Sequence, residues 1–229
     1  MLLKNSGNAL PLKRNANIYV AGRNADDIGN QSGGWTLSWQ GFSEHNPGGV
    51  KQQPGTTILE GITQVAPQAR VTYSADGTAP TAGADVAVVA VGETPYAEGF
   101  GDVGGPQWAY DPADAGQPRE PKSLELQPQD RDVVKRVCGQ VATCVVLVVS
   151  GRPQIVTDLL GDVDALVASW LPGTEGAGVA DVLFGRQGFV GKLPVSWPRT
   201  AAQEPVNIGD PSYDPLYRYG FGLTTRPSR

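Results

Sequence analysis

Basic residues are scarce in this sequence and form no cluster. Only 18 of the 229 residues are Lys or Arg, and the formal net charge is −5. A chain with this charge balance is poorly suited to a phosphate backbone or an anionic membrane surface. We therefore expect neither nucleic acid nor a membrane as a partner, and neutral or weakly charged ligands fit better.

Long apolar runs are also missing. No apolar stretch reaches the roughly 18 residues that a membrane-spanning helix requires. The opening Met-Leu-Leu-Lys-Asn is too short for the core of a signal peptide. This indicates either a cytosolic chain or a chain whose true beginning is missing.

Residues and motifs that bind metals or cofactors are few. The single histidine, His45, is far in sequence from the two cysteines, Cys138 and Cys144, so a zinc site would lack ligands. Neither G-x-G-x-x-G nor G-x-x-x-x-G-K-[ST] occurs, which disfavours dinucleotide and P-loop sites. We expect no metal and no cofactor. The two cysteines either stay reduced in a turn or form a small disulfide loop; we favour the disulfide, which would indicate an oxidising compartment.

Alternating segments predict one α/β domain. Apolar runs typical of strands lie at 17–21, 71–73, 86–91, 145–149 and 165–170, and helical patterns at 57–65, 130–137, 153–160 and 176–184. This order favours an open, doubly wound, mostly parallel sheet with helices on both faces. With 229 residues, of which 40% are apolar, the chain can bury a substantial core but hardly two full domains.

The run at 86–91 leads directly into acidic residues. Its uninterrupted apolar character indicates a strand covered on both faces, and Glu93 follows its end. Ligands of open α/β sheets collect at the carboxyl ends of the strands. Desolvation there disfavours a charged carboxyl, which suits a general acid. The competing interpretation is that Glu93 caps a solvated loop, and Glu98 and Asp102 share this ambiguity.

Three further segments are candidates for site residues. Residues 23–41 form a long predicted loop with Trp35 and Trp39, which either anchor packing or stack on a sugar. Residues 103–121 are a second predicted loop that could line the same crevice. Arg152 and Glu175 lie in strand-to-helix turns on the predicted Glu93 side, where a structural ion pair or a helix cap is an equally good explanation.

Several motifs together resemble glycoside hydrolase family 3, specifically the C-terminal α/β sandwich domain of its β-glucosidases and exo-β-glucanases. The matching segments occur in the expected order and are Leu-Leu-Lys-Asn at 2–5, Leu-Pro-Leu at 10–12, Gln-Ser-Gly-Gly-Trp-Thr at 31–36, Trp-Gln-Gly at 39–41, Val-Gly-Glu-Thr-Pro-Tyr-Ala-Glu at 91–98, Gly-Asp at 101–102, Ser-Gly-Arg-Pro at 150–153, Leu-Pro-Gly-Thr-Glu-Gly at 171–176, Gly-Phe-Val-Gly-Lys-Leu-Pro at 188–194 and Tyr-Arg-Tyr-Gly-Phe-Gly-Leu at 217–223. They cover nearly the whole chain.

The resemblance implies a six-stranded sheet packed against an N-terminal (β/α)8 barrel, and retaining hydrolysis of terminal β-glucosyl residues. The barrel would supply an Asp nucleophile and this domain the acid/base Glu, which maps to Glu93, with Glu98 as the fallback in the same loop. Trp35 matches the aromatic residue that stacks on the sugar, and Trp39 and Arg152 are further candidate substrate contacts. Cys138 and Cys144 resemble a short disulfide loop of related exo-glucanases. The expected ligand is a β-glucoside or β-linked gluco-oligosaccharide, and the expected compartment is periplasmic or extracellular.

The expected organisation is a linker at 1–16 followed by the family 3 C-terminal domain at 17–225. No segment resembles the nucleophile motif, and the length leaves no room for the barrel, so we expect half an enzyme that is inactive by itself. The main alternative is a stand-alone carbohydrate-binding or scaffold domain that uses Trp35 without catalysis. A flavodoxin-like nucleotide binder is disfavoured by the missing phosphate loops.

Overall fold

A computed structural model describes residues 1–36, 38–43, 54–99, 102–104 and 121–228. These residues form one sheet with the strand order β1-β6-β5-β4-β2-β3, in which all neighbours are parallel except β1, which runs antiparallel to β6. The strands are β1 Leu2–Asn5, β2 Asn17–Ala21, β3 Arg70–Ser74, β4 Val86–Gly92, β5 Cys144–Val149 and β6 Ala165–Ala168. The six-stranded, mostly parallel sheet is confirmed.

The two central strands are buried along their whole length. Every residue of β4 and of β5 is buried, because both faces of the sheet are covered. Successive side chains point to opposite faces, so Val88 and Ala90 join one apolar core while Val89 and Val91 join the other. An unbroken apolar run is what such a strand requires.

Helices lie on both faces, as predicted. They are α1 Ile28–Ser32, α2 Ile58–Val65, α3 Pro128–Cys138 and α4 Gly176–Leu183. Helices α2 and α4 contribute to one core and α3 to the other. Thr57 caps α2 in a full capping box with Glu60, which accounts for the helix start expected there. In the described residues no helix combines the length and apolar character needed to cross a bilayer.

The path of the chain through the sheet creates a crevice. After β2 the chain goes to β3 at the sheet edge, and then returns to the other side of β2 as β4 before continuing through β5 to β6. The carboxyl ends of β2 and β4 are therefore a topological switch point, where ligands bind in folds of this type.

The interpretation of residues 1–16 as a linker is wrong for their first part. Leu2–Asn5 forms the edge strand β1, with Leu2 paired to Val167 of β6. Leu2 and Leu3 are 0% and 2% exposed, one in each core. Four residues are too few to display a strand period, so the pairing with β6 decides the structure.

Two other segments also differ from expectation. The loop at 23–41 contains a 3-10 turn at Arg23–Asp26 and the five-residue helix α1, whose first turn is capped by Asp27. The helix expected at 153–160 reduces to a 3-10 turn at Thr157–Leu159. The amide of Ile155 donates to the carbonyl oxygen of Leu124 at 2.8 Å, so a contact with a distant segment replaces the first helical turn. Residues 105–120 of the second predicted loop lie outside the described residues.

Cys138 and Cys144 form a disulfide, which confirms the prediction that they are not reduced. Cys138 is the last residue of α3 and Cys144 the first of β5, so the bond closes the turn between these elements. Both cysteines are buried in the same core.

We expect the double variant Cys138→Ala/Cys144→Ala to lose on the order of 2 kcal/mol of unfolding free energy, because a small covalent loop no longer restricts the unfolded chain. Urea unfolding followed by tryptophan fluorescence measures this loss. Reduced wild-type protein should match the variant, and equal stability of the oxidised and reduced forms would contradict the prediction.

Candidate active site

Glu93 leaves the sheet at the carboxyl end of β4, as predicted. Gly92 ends the strand with φ +150°, and a Cβ atom there would lie 1.9 Å from the carbonyl oxygen of Val149, so only glycine fits. The amide of Glu93 then donates to that same oxygen at 3.1 Å. The Glu93 side chain is 6% exposed and lies in the crevice rather than in solvent.

The Glu93 carboxylate is held by three side chains. Arg152 donates to Oε1 from Nε at 3.2 Å and from the terminal nitrogen Nη2 at 2.9 Å. Ser150 donates to Oε2 at 2.6 Å, and the Tyr96 hydroxyl approaches the same oxygen at 3.4 Å. Both oxygens are thus engaged, and the structural ion pair considered for Arg152 is present.

The charges of this cluster influence one another. Burial lowers the pKa of the Arg152 guanidinium, but the hydrogen bonds and charge of Glu93 outweigh it, and the pKa lies above its ordinary value. Burial, followed by the negative charge of Glu93, raises the pKa of Tyr96 to about 12. Arg152 also lies over the Tyr96 ring, 5.2 Å from its centroid. The Glu93 carboxyl is buried, as expected from the sequence, but it is also held by an ion pair and by hydrogen bonds.

A second ion pair fixes the backbone next to Glu93. Arg23 donates to both carboxylate oxygens of Asp130, at 3.2 and 3.0 Å, and to the carbonyl oxygen of Gly92 at 3.2 Å. The side-chain nitrogen Nδ2 of Asn24 donates to the carbonyl oxygen of Glu93 at 3.2 Å. Residues after β2 and in α3 thus hold the end of β4 in place across the switch point.

The two tryptophans lie on either side of the bridge between Thr36 and Ser38, in a segment that we call the Trp hairpin and that comprises residues 33–36 and 38–41. The amide of Trp35 donates to the carbonyl oxygen of Trp39 at 2.9 Å, and the two ring centroids are 6.2 Å apart. Trp35 is 70% exposed and has φ +58°, a conformation that is unfavourable for a bulky residue. Trp39 is 36% exposed. Its ring atom Cη2 is 3.8 Å from where a Cβ of Gly99 would lie, so it packs beside the loop after Glu93.

A cavity of about 230 Å³ lies between the hairpin and Glu93. Trp35, Glu93, Tyr96 and Leu171 line it, together with Asn30 of α1. The Asn30 side chain is 1% exposed, and neither atom of its amide group has a hydrogen-bond partner in the described part of the chain. The cavity therefore offers an apolar face, the amide group of Asn30 and the carboxylate of Glu93 with its partners Tyr96 and Ser150.

The remaining predicted residues are outside this cluster. Glu98 is exposed, and its carbonyl oxygen accepts a hydrogen bond from Gln40 at 3.1 Å. Asp102 is partly buried, and its Oδ1 has no partner among the described residues. Glu175 is exposed at the start of α4. No group of three or more potential metal ligands occurs in the described ranges.

Sequence reasoning missed the residues that complete the cluster. Ser150 precedes the predicted Arg152, and Tyr96 follows Glu93 by three residues, so their positions in the motifs could have been used. Asn30 carries no such signal, because an amide residue in a Gly- and Asn-rich segment is usually solvated.

Comparisons with known proteins identify the family of this chain. Residues 1–225 match the family described as "Glycosyl hydrolase family 3 C-terminal domain". The chain belongs to this family. It is 30% identical to the lysosomal beta glucosidase of Dictyostelium discoideum over 97% of its length, and 27% identical to the periplasmic beta-glucosidase of Salmonella typhimurium over 98%.

A solved structure carries the same fold. An exo-1,3/1,4-beta-glucanase from a Pseudoalteromonas species superposes with a TM-score of 0.79 at 37% identity over 97% of this chain. The family 3 domain described here corresponds to 26% of that chain, and to 28% and 33% of the Dictyostelium and Salmonella proteins. It therefore spans about a third or less of the length of these relatives.

We expect Glu93→Gln and Arg152→Met to be energetically coupled. Each single change leaves a buried partner of the ion pair uncompensated, at a cost of about 1.5 to 3 kcal/mol, whereas the double change removes both. Urea unfolding of the four proteins of the double-mutant cycle gives the coupling free energy. Strictly additive losses would mean that the pair does not stabilise the crevice.

Proposed function

We propose that this domain supplies the acid/base residue and part of the sugar site for hydrolysis of terminal β-glucosyl residues with retention of configuration. The reaction requires a second carboxylate as nucleophile, which we assign to an Asp of an N-terminal (β/α)8 barrel. Family membership and the names of the relatives, glucosidases and a glucanase, support the reaction class. The share of the relatives that this chain spans supports a partner domain.

We assign the acid/base role to Glu98 rather than to Glu93, although the sequence favoured Glu93. Glu93 is 6% exposed, and its oxygens already accept hydrogen bonds from Arg152, Ser150 and Tyr96. To protonate a leaving group it would have to give up these partners. Glu98 lies five residues further on and is exposed, so a substrate can reach its carboxyl group. The ion pair at the base of the loop and the exposed Glu98 beyond it are the observations that carry this assignment.

The chemistry then requires two steps. The Asp nucleophile attacks the anomeric carbon while Glu98 donates its proton to the glycosidic oxygen, which leaves as an alcohol. Glu98, now a carboxylate, takes a proton from water, whose oxygen attacks the same carbon and releases the Asp. A retaining enzyme needs the two carboxyl groups about 5 to 5.5 Å apart, so the barrel must dock against the Glu98 loop.

We assign sugar contact to the cavity beside Trp35. The exposed indole offers a flat apolar surface that fits the C–H face of a glucosyl ring. The amide group of Asn30 lines the cavity, has no partner among the described residues and can hydrogen-bond to a hydroxyl group. Trp39 packs on Trp35 and on the loop at Gly99, so it serves as a support more than as a contact. Arg152 acts through Glu93 and Tyr96.

The compartment that fits best is periplasmic or extracellular. The disulfide supports an oxidising environment. One relative is named as periplasmic and another as lysosomal, which agrees with a compartment outside the cytosol.

A second candidate is a carbohydrate-binding domain without catalysis. It is favoured by the fact that Trp35, Asn30 and the cavity all belong to this chain and need no other domain. In that case sugar binding would occur without hydrolysis, and neither Glu93→Gln nor Glu98→Gln would alter any reaction.

We expect Glu98→Gln to lower kcat/KM for a phenyl β-glucoside by about 100-fold to 10,000-fold, because proton donation is lost. The assay uses this chain fused to the N-terminal part of the Pseudoalteromonas relative, where we propose the barrel to lie; the 229-residue chain alone is expected to release no phenol. The loss should largely disappear with dinitrophenyl β-glucoside, whose leaving group needs no proton.

Glu93→Gln is the matched control in the same loop. Its effect should be similar for both glucosides, because it disturbs structure and not proton transfer. A selective loss in Glu93→Gln, with normal rates in Glu98→Gln, would reverse the assignment. Turnover by the chain alone would place a nucleophile within it and refute the two-domain site.

We expect Trp35→Ala and Asn30→Ala each to weaken binding of a β-linked glucose disaccharide by about tenfold or less, since each removes one stacking or hydrogen-bond contact. Calorimetric titration of the chain measures the affinity. Tyr219→Ala, which alters another exposed aromatic residue outside this cavity, should have no effect. Unchanged affinity in both site variants would exclude the cavity as the sugar site.

A further inference from the structure

Gln40 makes an unusual pair of contacts with the loop that follows Glu93. Its side-chain nitrogen Nε2 donates to the carbonyl oxygen of Glu98 at 3.1 Å, and its oxygen Oε1 accepts from the amide of Ala97 at 2.8 Å. The side chain is 2% exposed, so water does not compete for these groups. A single amide therefore binds the backbone on both sides of the bond that joins Ala97 to Glu98.

The loop needs such a partner. Residues 93–99 leave the sheet and contain no strand or α-helix. Glu93 still pairs with Val149 of β5, but residues 94–98 belong to no strand or helix, and Pro95 has no amide hydrogen to donate. The Gln40 side chain provides one donor and one acceptor in the arrangement that a neighbouring peptide group would offer.

Gln40 itself is fixed by the Trp hairpin. Ser38 and Gly41 are joined by a hydrogen bond from the Gly41 amide to the Ser38 carbonyl oxygen at 3.3 Å, and Trp35 and Trp39 are joined through their backbones. The backbone of Gly34 packs so closely on the loop that a Cβ there would lie 2.1 Å from the carbonyl oxygen of Tyr96. The hairpin thus forms a firm support against which the loop rests.

We propose that Gln40 is a positioning residue that holds the Glu98 backbone in place for proton transfer. The inference rests on the proposed role of Glu98 as acid/base. It adds that the hairpin which presents Trp35 to the sugar also sets the position of the proton donor. The sugar and the acid are therefore aligned by one structural unit.

The test compares Gln40→Met, which keeps the side-chain length but removes both hydrogen bonds, with wild type in the active fusion. Gln40→Met should lower kcat/KM for phenyl β-glucoside by about tenfold to a hundredfold, because the acid is misplaced. For dinitrophenyl β-glucoside the loss should be below about threefold, because no proton is needed. The kcat/KM of Gln40→Glu for phenyl β-glucoside should rise toward the wild-type value as the pH falls, because a protonated carboxyl can again donate to the Glu98 carbonyl oxygen.

Gln31→Met is the matched control for a purely structural effect. Gln31 is 0% exposed and also binds backbone groups, with Nε2 donating to the Gly173 carbonyl oxygen at 2.9 Å and Oε1 accepting from the Ile58 amide at 2.8 Å. Its side-chain hydrogen bonds to the described residues go to Thr56, Gly173 and Ile58 and not to residues 97–98, so its loss should affect both glucosides equally. An equal loss on both glucosides in Gln40→Met would overturn the inference.

Hydrogen exchange on the 229-residue chain provides a readout without catalysis. The Ala97 amide should lose its protection in Gln40→Met and keep it in Gln31→Met; retained protection in Gln40→Met would overturn the inference. If instead Glu98→Gln keeps wild-type rates on both glucosides, the proposed role of Glu98 is wrong and the catalytic part of this inference falls with it. The exchange of Ala97 then still decides whether Gln40 holds the loop.

Discussion

The ion pair between Glu93 and Arg152 joins the carboxyl ends of β4 and β5, and the organisation of the site depends on it. Two central strands that are buried on both faces end side by side, so the first polar residues after them are forced together in a poorly hydrated crevice. A lone carboxylate would be costly there, whereas one that accepts hydrogen bonds from Arg152 and Ser150 is stable. The loop to Glu98 thus starts from a fixed point.

Sequence reasoning was most successful where burial determines the pattern. The runs that became β2, β4 and β5 were located to within a residue, because strands covered on both faces must be apolar throughout. The same logic placed Glu93 at the carboxyl edge of the sheet. It could not reveal what surrounds Glu93, because Arg152 lies 59 residues further along the chain.

Other features depend on contacts between distant segments and have no local signature. The strand β1 exists because β6 offers a free edge, and Ile155 is kept out of a helix by its bond to Leu124. Gln40 and Asn30 have similar amide groups in the same stretch of sequence, yet one is fully paired with the loop and the other has no partner in the described residues. Only the three-dimensional structure shows that Gln40 supports the loop whereas Asn30 is a candidate ligand contact.

The two edges of the sheet differ in how they are protected. On one side the antiparallel strand β1 covers β6. On the other, β3 pairs with β2 alone in the described part of the chain, and its Arg70 and Thr72 are exposed. An exposed apolar edge strand can pair with a strand of another molecule. A short edge strand with charged and polar side chains disfavours this pairing. The polar and charged residues of β3 thus disfavour the addition of another strand at this edge of the sheet.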